Sequence, residues 1–355
     1  MELGDLSYEE ARTRFLELAK DGRLERWEVN CDDRLSTDIA ILGNASAENL
    51  LVLSSGLHGV EGAMGSRAQL YWLEHASSGW LQEGKLENCA VILMHALNPF
   101  GFRHSRRANE DNFDLNRAFH EIDERPQEHQ LFTVANRLLA PQKTPSRDGF
   151  LLQAIWSLLR YDRRELGAAI AAGQFSNSQG LFYGGTLAPD LQTRFEKWFE
   201  QFVAGKRIVE HFDLHSGLGP FGKCQLMLER GISQLGIRQA RSRWPSLVSE
   251  SALGETAYEA RGTLGAWLQN LAAKRGVDYR YYCAEFGTYS PIQVLSALRK
   301  ENQAWFYLEP EHPHREAAAK ALRACFDPPI PKWRKSVCEQ TRDLVERVLT
   351  DFGRQ

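Results

Sequence analysis

The chain has 355 residues, 43% hydrophobic and 25% charged, with a formal net charge of −3. The composition is that of an ordinary globular protein, the length admits one large domain or two small ones, and a balance this neutral without a long basic block gives no reason to expect nucleic acid as a partner. No apolar run approaches the roughly 20 residues of a membrane helix, and the polar start Met1-Glu2-Leu3-Gly4-Asp5 leads into no export-type apolar segment, so a cytoplasmic protein without a membrane partner is expected.

In chain order, residues 7–20 place apolar positions at helical spacing, and Leu24–Asn30 and Thr37–Leu42 read as strands joined by the turn Cys31-Asp32-Asp33. Leu50–Ser55 is a short apolar run with the composition of a buried strand, followed by a helix to about Ala76. Ala90–His95 is another such strand, and strand–helix–strand is the right-handed crossover of a parallel sheet. Asn98–Asn116 lacks apolar periodicity and is rich in Arg, Asn and Asp, which predicts a long functional loop. A helix is expected over Gln127–Leu139, a break at Pro141–Asp148, one long amphipathic helix over Leu151–Ala172 and a Gly-rich loop over Gln174–Pro189. After a helix at Leu191–Ala204 come strands at Arg207–Leu214 and Cys224–Leu228, helices at Ser233–Arg243 and Leu264–Arg275, and an aromatic strand at Tyr279–Phe286. Helices close the chain at Pro291–Gln303, Arg315–Ala324 and Val337–Phe352. The alternation predicts a single α/β domain, 1–355, with a mixed, mostly parallel twisted sheet covered by helices on both faces and an insertion or lid at about 141–190.

The chemistry gathers where strands end. Ser54-Ser55-Gly56-Leu57-His58-Gly59-Val60-Glu61-Gly62 is a Gly-lined turn between a strand and a helix, the place where open α/β sheets bind ligands. His58 and Glu61, three apart, can converge on one metal ion, and two ligands leave a zinc site incomplete. Phe212-Asp213-Leu214-His215-Ser216-Gly217 offers His215 at the end of another strand as the third ligand. Two imidazoles and a carboxylate leave a zinc position open for water, whose pKa falls to about 7. Ala284-Glu285-Phe286-Gly287 places a carboxylate at a third strand end, costly to bury without a task and suited to take the water's proton. In the loop Arg106–Arg117, Arg107 suits a developing oxyanion, and Asn116 with Arg117 suits a substrate carboxylate. The six cysteines form no CxxC pair and read as buried thiols. A serine hydrolase would need Gly-x-Ser-x-Gly, which does not occur.

His58-x-x-Glu61, Arg107 nine residues before Asn116-Arg117, then His215 and Glu285 together resemble the zinc carboxypeptidases, the M14 metallopeptidases. Phe113-Asp114-Leu115-Asn116-Arg117 is similar to that family's Asp-x-Asn-Arg motif, and the fuller forms around His58 and at Gly180-Leu181-Phe182-Tyr183-Gly184-Gly185 resemble its bacterial subgroup DUF2817. The resemblance implies a zinc carboxypeptidase-like fold and one Zn2+ per chain on His58, Glu61 and His215. It implies Glu285 as base and acid, Arg107 at the scissile carbonyl, Asn116 and Arg117 on the substrate carboxylate, and Asp114 behind His58. It also implies a substrate-covering tyrosine, for which Tyr183 and Tyr258 are the candidates. The expected function is zinc-dependent hydrolysis of an amide or peptide bond next to a free carboxylate, with a small peptide or N-acyl amino acid as substrate. The runner-up is an N-acyl amino acid deacylase of the aspartoacylase or succinylglutamate desuccinylase type. An inactive binding module on the same fold is the alternative of another class. The oligomeric state is open.

Overall fold

In the computed structural model, which describes residues 4–76, 79–81, 85–120, 129–146, 149–185, 189–229, 232–248 and 260–354, the expected strands pair into one sheet. They are β1 (Arg23–Glu28), β2 (Ser36–Gly43), β3 (Asn49–Ser55), β4 (Cys89–His95), β5 (Ile208–Gly217), β6 (Cys224–Met227) and β7 (Asp278–Gly287), in the spatial order β1-β2-β4-β3-β5-β7-β6. β4, β3, β5 and β7 run parallel, while β2 on β4, β1 on β2 and β6 on β7 are antiparallel. The described helices are α1 (Tyr8–Leu18), α2 (Gly62–Ala76), α3 (Pro99–His104), α4 (Phe132–Leu139), α5 (Phe150–Arg160), α6 (Arg163–Ala171), α7 (Asp190–Phe202), α8 (Gln234–Arg243), α9 (Leu264–Ala273), α10 (Pro291–Tyr307), α11 (Pro313–Phe326) and α12 (Pro331–Phe352). None is long and apolar enough to cross a membrane among the described residues.

The central strands are apolar throughout because both faces are covered. Leu51, Leu53, Val91 and Leu93 pack under α1, α2 and α12. Their neighbours Leu50, Val52, Ile92 and Met94 pack under α7 and α9. Strand β3 lies in the middle, with β4 on one side and β5 on the other. The chain goes from β3 through α2 to β4, then returns to β5 across β3. The connections after β3 and β5 therefore leave the sheet in opposite senses, and the crevice at their carboxyl ends is the topological switch point.

Two expectations need correction. The long helix over Leu151–Ala172 is two helices, α5 and α6, parted by Tyr161 in an extended conformation and by Asp162. Asp162 Oδ1 accepts hydrogen bonds from the Arg164 and Glu165 amides, so its short polar side chain starts a new helix instead of continuing the old one. α5 leaves much of its apolar side uncovered, with Leu152 and Leu159 74% and 81% exposed. The loop over Asn98–Asn116 contains the short helix α3, with Pro99 in its first turn and Asn98 accepting from the Gly101 amide. The expected helix over Gln127–Leu139 begins at Phe132, its first residues lying outside the described ones.

Asp162→Ala should cost about 1 kcal/mol of local helix stability. Faster hydrogen exchange at the Arg164 and Glu165 amides, with little change in α5, is the expected reading.

Candidate metal centre

The turn after β3 is set by backbone constraints. Gly56 takes φ +66°, open to glycine and strained for other residues. At Gly59 a Cβ would come 2.2 Å from the Gly101 backbone, and the Gly59 amide donates to the Arg107 carbonyl at 3.2 Å. The His58 turn and the Arg107 loop are thus pressed together. Gly59–Glu61 forms a single 3-10 turn with His58 at its cap, which brings the His58 and Glu61 side chains to one side.

His215 and Glu285 reach the same place through register. β5 and β7 run parallel with His215 opposite Glu285. Side chains two apart share a face, so His211, Asp213 and His215 of β5 line up beside Tyr279, Tyr281, Cys283 and Glu285 of β7.

Glu61 bridges the two imidazoles: its Oε1 is 3.1 Å from His58 Nδ1 and its Oε2 is 3.1 Å from His215 Nδ1. The rings stand 5.0 Å apart at 73°. One ligand atom from each of His58, Glu61 and His215 lies within 4.8 Å of the others. Both histidines aim Nδ1 inward, and both hold the outer nitrogen against a carboxylate. His58 Nε2 is 3.2 Å from Asp114 Oδ1, and His215 Nε2 is 2.6 Å from Asp213 Oδ2. This is the ring-orienting arrangement that metal-ligating histidines use, and the donor set suits zinc. The residues fit such an ion.

Arg107 closes one side. Its Nε donates to Asp114 Oδ2 at 2.8 Å, its Nη2 lies 2.6 Å from His58 Nε2, and its guanidinium sits 5.3 Å from the Phe182 ring centre. Glu285 closes the other, with Oε1 accepting from the Leu218 amide at 2.8 Å. Burial pushes the Glu285 carboxyl up, the neighbouring Glu61 carboxylate adds to this, and the pKa reaches about 7. Burial opposes charge on Glu61 too, but His58 and His215 outweigh it and lower that carboxyl to about 2. Burial likewise works against Asp114 and Asp213, which are nonetheless held below the usual carboxylate range by Arg107 and His58 and by His215, respectively. His215 is raised well above the ordinary imidazole value, since Asp213 and Glu61 overcome its burial. Two carboxylates in one site thus diverge, one kept ionised and one poised near neutrality.

These groups open on a cavity of about 700 Å³ that Asn116 and Arg117 also line. Arg117 is anchored by Nε on the Ala171 carbonyl at 2.6 Å and by Nη1 on the Asn116 carbonyl at 2.7 Å. Asn116 Oδ1 accepts from the Leu264 amide at 3.1 Å, which turns its NH2 group away from that bond. The structure brings His58, Glu61, Arg107, Asp114, Asn116, Arg117, His215 and Glu285 to one centre. It does not bring Tyr183, which is buried edge-on against Phe113 and accepts the Asp114 amide on its carbonyl. Its neighbour Phe182 lines the cavity instead. Tyr258 lies outside the described residues.

Sequence reasoning missed what stands behind His215. Asp213 accepts from Ser54 Oγ at 2.5 Å and from the Tyr281 hydroxyl at 2.8 Å besides its contact with His215. Ser54 Oγ is also 2.7 Å from His211 Nε2, whose other nitrogen meets the Tyr279 hydroxyl at 2.8 Å. One signal was present: Asp213 is a charged residue inside an apolar strand, two before a candidate ligand and on its face. Also missed was Glu229, a cavity-lining carboxylate raised by burial that accepts from Thr263 Oγ1 at 2.7 Å.

A family model described as "Protein of unknown function (DUF2817)" matches residues 5–340. No curated protein matches the chain. Among solved structures, carboxypeptidase A from Helicoverpa armigera is similar at 15% identity and a TM-score of 0.47, over 90% of this chain and 74% of that one. A metallo-carboxypeptidase from Pseudomonas aeruginosa is similar at 14% identity and 0.44, over 94% and 69%. Bovine thrombin-activatable fibrinolysis inhibitor is similar at 12% and 0.42, over 95% and 99%.

The raised Glu285 carboxyl has a stability consequence in metal-free protein. Between pH ~4.5 and ~7 the native state binds the proton more tightly than the unfolded chain, so native stability falls as pH rises through that window. Glu285→Gln removes this loss. The variant should match the parent near pH 4 and exceed it at pH 8, measured by urea unfolding in the presence of a chelator.

Proposed function

We propose, from the premise that the chain belongs to the DUF2817 family, that it is a zinc-dependent hydrolase of carboxypeptidase type acting on an amide next to a free carboxylate. One observation carries the reading. Two buried imidazoles, each backed by a carboxylate, face Glu61 at 3.1 Å, and Glu285 stands opposite His215 on the neighbouring strand. The first set suits a metal ion and the second carboxylate suits proton transfer beside it.

His58 and His215 through Nδ1, with Glu61, would hold the ion. Bound there, zinc would supply Lewis acidity and a water acidic near neutral pH. With the His58 proton on Nε2 and shared with Asp114, Arg107 has no acceptor at that nitrogen, and its Nη groups are left to donate to the carbonyl oxygen as charge develops. Glu285 has Oε1 fixed by the Leu218 amide, so Oε2 takes the proton from the attacking water and returns it to the leaving nitrogen. Arg117 and the Asn116 NH2 group hold the substrate carboxylate, which sets the amide in register with Glu285 and Arg107. Ser54 and Tyr281 donate to Asp213 and so fix the carboxylate that holds His215 in one orientation. We further take 1–355 as one domain in which 141–190 is an insertion that walls the cavity.

Purified protein should carry about one zinc per chain by elemental analysis, and His215→Ala should carry none. Glu285→Gln should keep the zinc and lose 10²–10⁴-fold in kcat; normal turnover in that variant would remove Glu285 from the chemistry. Arg117→Ala should raise KM at least tenfold for carboxylate-bearing substrates while changing kcat less.

A further inference from the structure

A second cavity, of about 430 Å³, shares no lining residue with that of the metal centre. One loop serves both. Arg107, Asn116 and Arg117 line the first, whereas Asn109, Glu110, Asp111 and Phe113 line the second. The second cavity is one-sided in charge. Glu28, Glu110, Asp111 and Asp190 bring four carboxylates to it. Arg194, the one cationic side chain among the described lining residues, is engaged within the wall: its Nε donates to Asp190 Oδ2 at 2.6 Å and its Nη2 to the Glu28 carbonyl at 2.7 Å. Glu28, Glu110 and Asp111 have no ion pair among the described residues. Burial pushes the Glu110 carboxyl up, and Asp111 and Asp190 add to this. Asn109 is an independent mark of a ligand. It is 8% exposed, and its Oδ1 accepts from the Phe113 amide at 2.7 Å. Its NH2 group has no partner among the described residues and is left for the cavity that Asn109 lines. A donor so placed needs an acceptor that the protein does not supply.

We infer that this cavity binds a small organic cation that carries a neutral carbonyl group, such as the amide of a basic amino acid. The carboxylates take the positive groups, and the Asn109 NH2 group donates to the carbonyl oxygen. Trp27 and Phe113 also line the space and offer aromatic rings to a guanidinium. A metal ion suits it less, because the described groups close enough to share one all include His215. A bare inorganic cation would also leave the Asn109 donor unmet. An acid suits it less again, since its carboxylate would stand among four others with no free cation beside it. The site does not depend on the hydrolase reading, and nothing in it requires the metal.

The test is calorimetric titration of the full-length protein near pH 6, where an α-ammonium stays protonated. Agmatine keeps both cationic groups of argininamide and lacks the carboxamide. Citrullinamide keeps the carboxamide and replaces the guanidinium by a neutral urea. Argininamide should bind at least tenfold more tightly than either, and its affinity should fall as salt is added. Asn109→Asp keeps the acceptor for the Phe113 amide and removes the NH2 donor. It should abolish the preference for argininamide over agmatine without weakening agmatine. Glu110→Gln should weaken both at least tenfold, whereas Glu229→Gln, in the cavity of the metal centre, should change neither. No binding of argininamide at millimolar concentration, or equal binding of the three compounds, overturns the inference on the unaltered protein. An undiminished preference in Asn109→Asp, or binding indifferent to Glu110→Gln, overturns it as well. Weakening by Glu229→Gln alone would place the cation at the metal centre and overturn it too.

Discussion

The structure depends on one buried carboxylate shared by two imidazoles. Glu61, 2% exposed, lies 3.1 Å from both His58 and His215, in a sheet crevice otherwise surrounded by apolar layers. Charges buried at this depth persist only when partnered, and the partners extend outward in order. His58 leans on Asp114, Asp114 on Arg107, His215 on Asp213, and Asp213 on Ser54 and Tyr281. The members come from the turn after β3, the loop holding Arg107 and Asp114, and strands β5 and β7, so the cluster is complete only when those strands have paired. Such a network is stable when complete and costly when one member is removed.

Much of this was legible in the residues because the signals are local. An apolar run followed by His-Gly-x-Glu-Gly, by His-Ser-Gly or by Glu-Phe-Gly marks a strand end with a polar group on it, and three such ends coincide in the sheet. The Arg107–Arg117 loop was legible from its lack of periodicity and the charges it carries. Less legible were the features decided by distant contacts. Ser54, His211, Tyr279 and Tyr281 look like ordinary strand residues until register sets them beside Asp213. Tyr183 and Phe182 are adjacent, and only the fold decides that Phe182 lines the cavity while Tyr183 packs on Phe113. The α5–α6 break was present as Asp162, a capping residue in the polar run Arg160–Glu165 that interrupts the apolar pattern.

Two sources supply the cavity, and they obey different constraints. His215 and Glu285 come from the ends of hydrogen-bonded strands, and His58 and Glu61 from the turn after β3, where backbone position is fixed to a fraction of an ångström and chemistry can be preorganised. Much of the apolar lining comes from α4, α5, α6 and α10, held by side-chain packing around Leu138, Phe150 and Leu295. Packing of that kind tolerates exchange of one apolar side chain for another of similar volume far better than a strand end tolerates loss of its carboxylate. The shape of the helical half can drift while the strand-end groups stay.

The pairing of His215 with Glu285 across β5 and β7 has a further consequence. Neighbouring strands stand about 4.8 Å apart whatever residues they carry, so the sheet itself fixes the distance from ligand to base. An extra residue within Ile208–His215 or Asp278–Glu285 would turn one of them to the opposite side. Length variation among relatives therefore has to fall in the connections beyond these two strands.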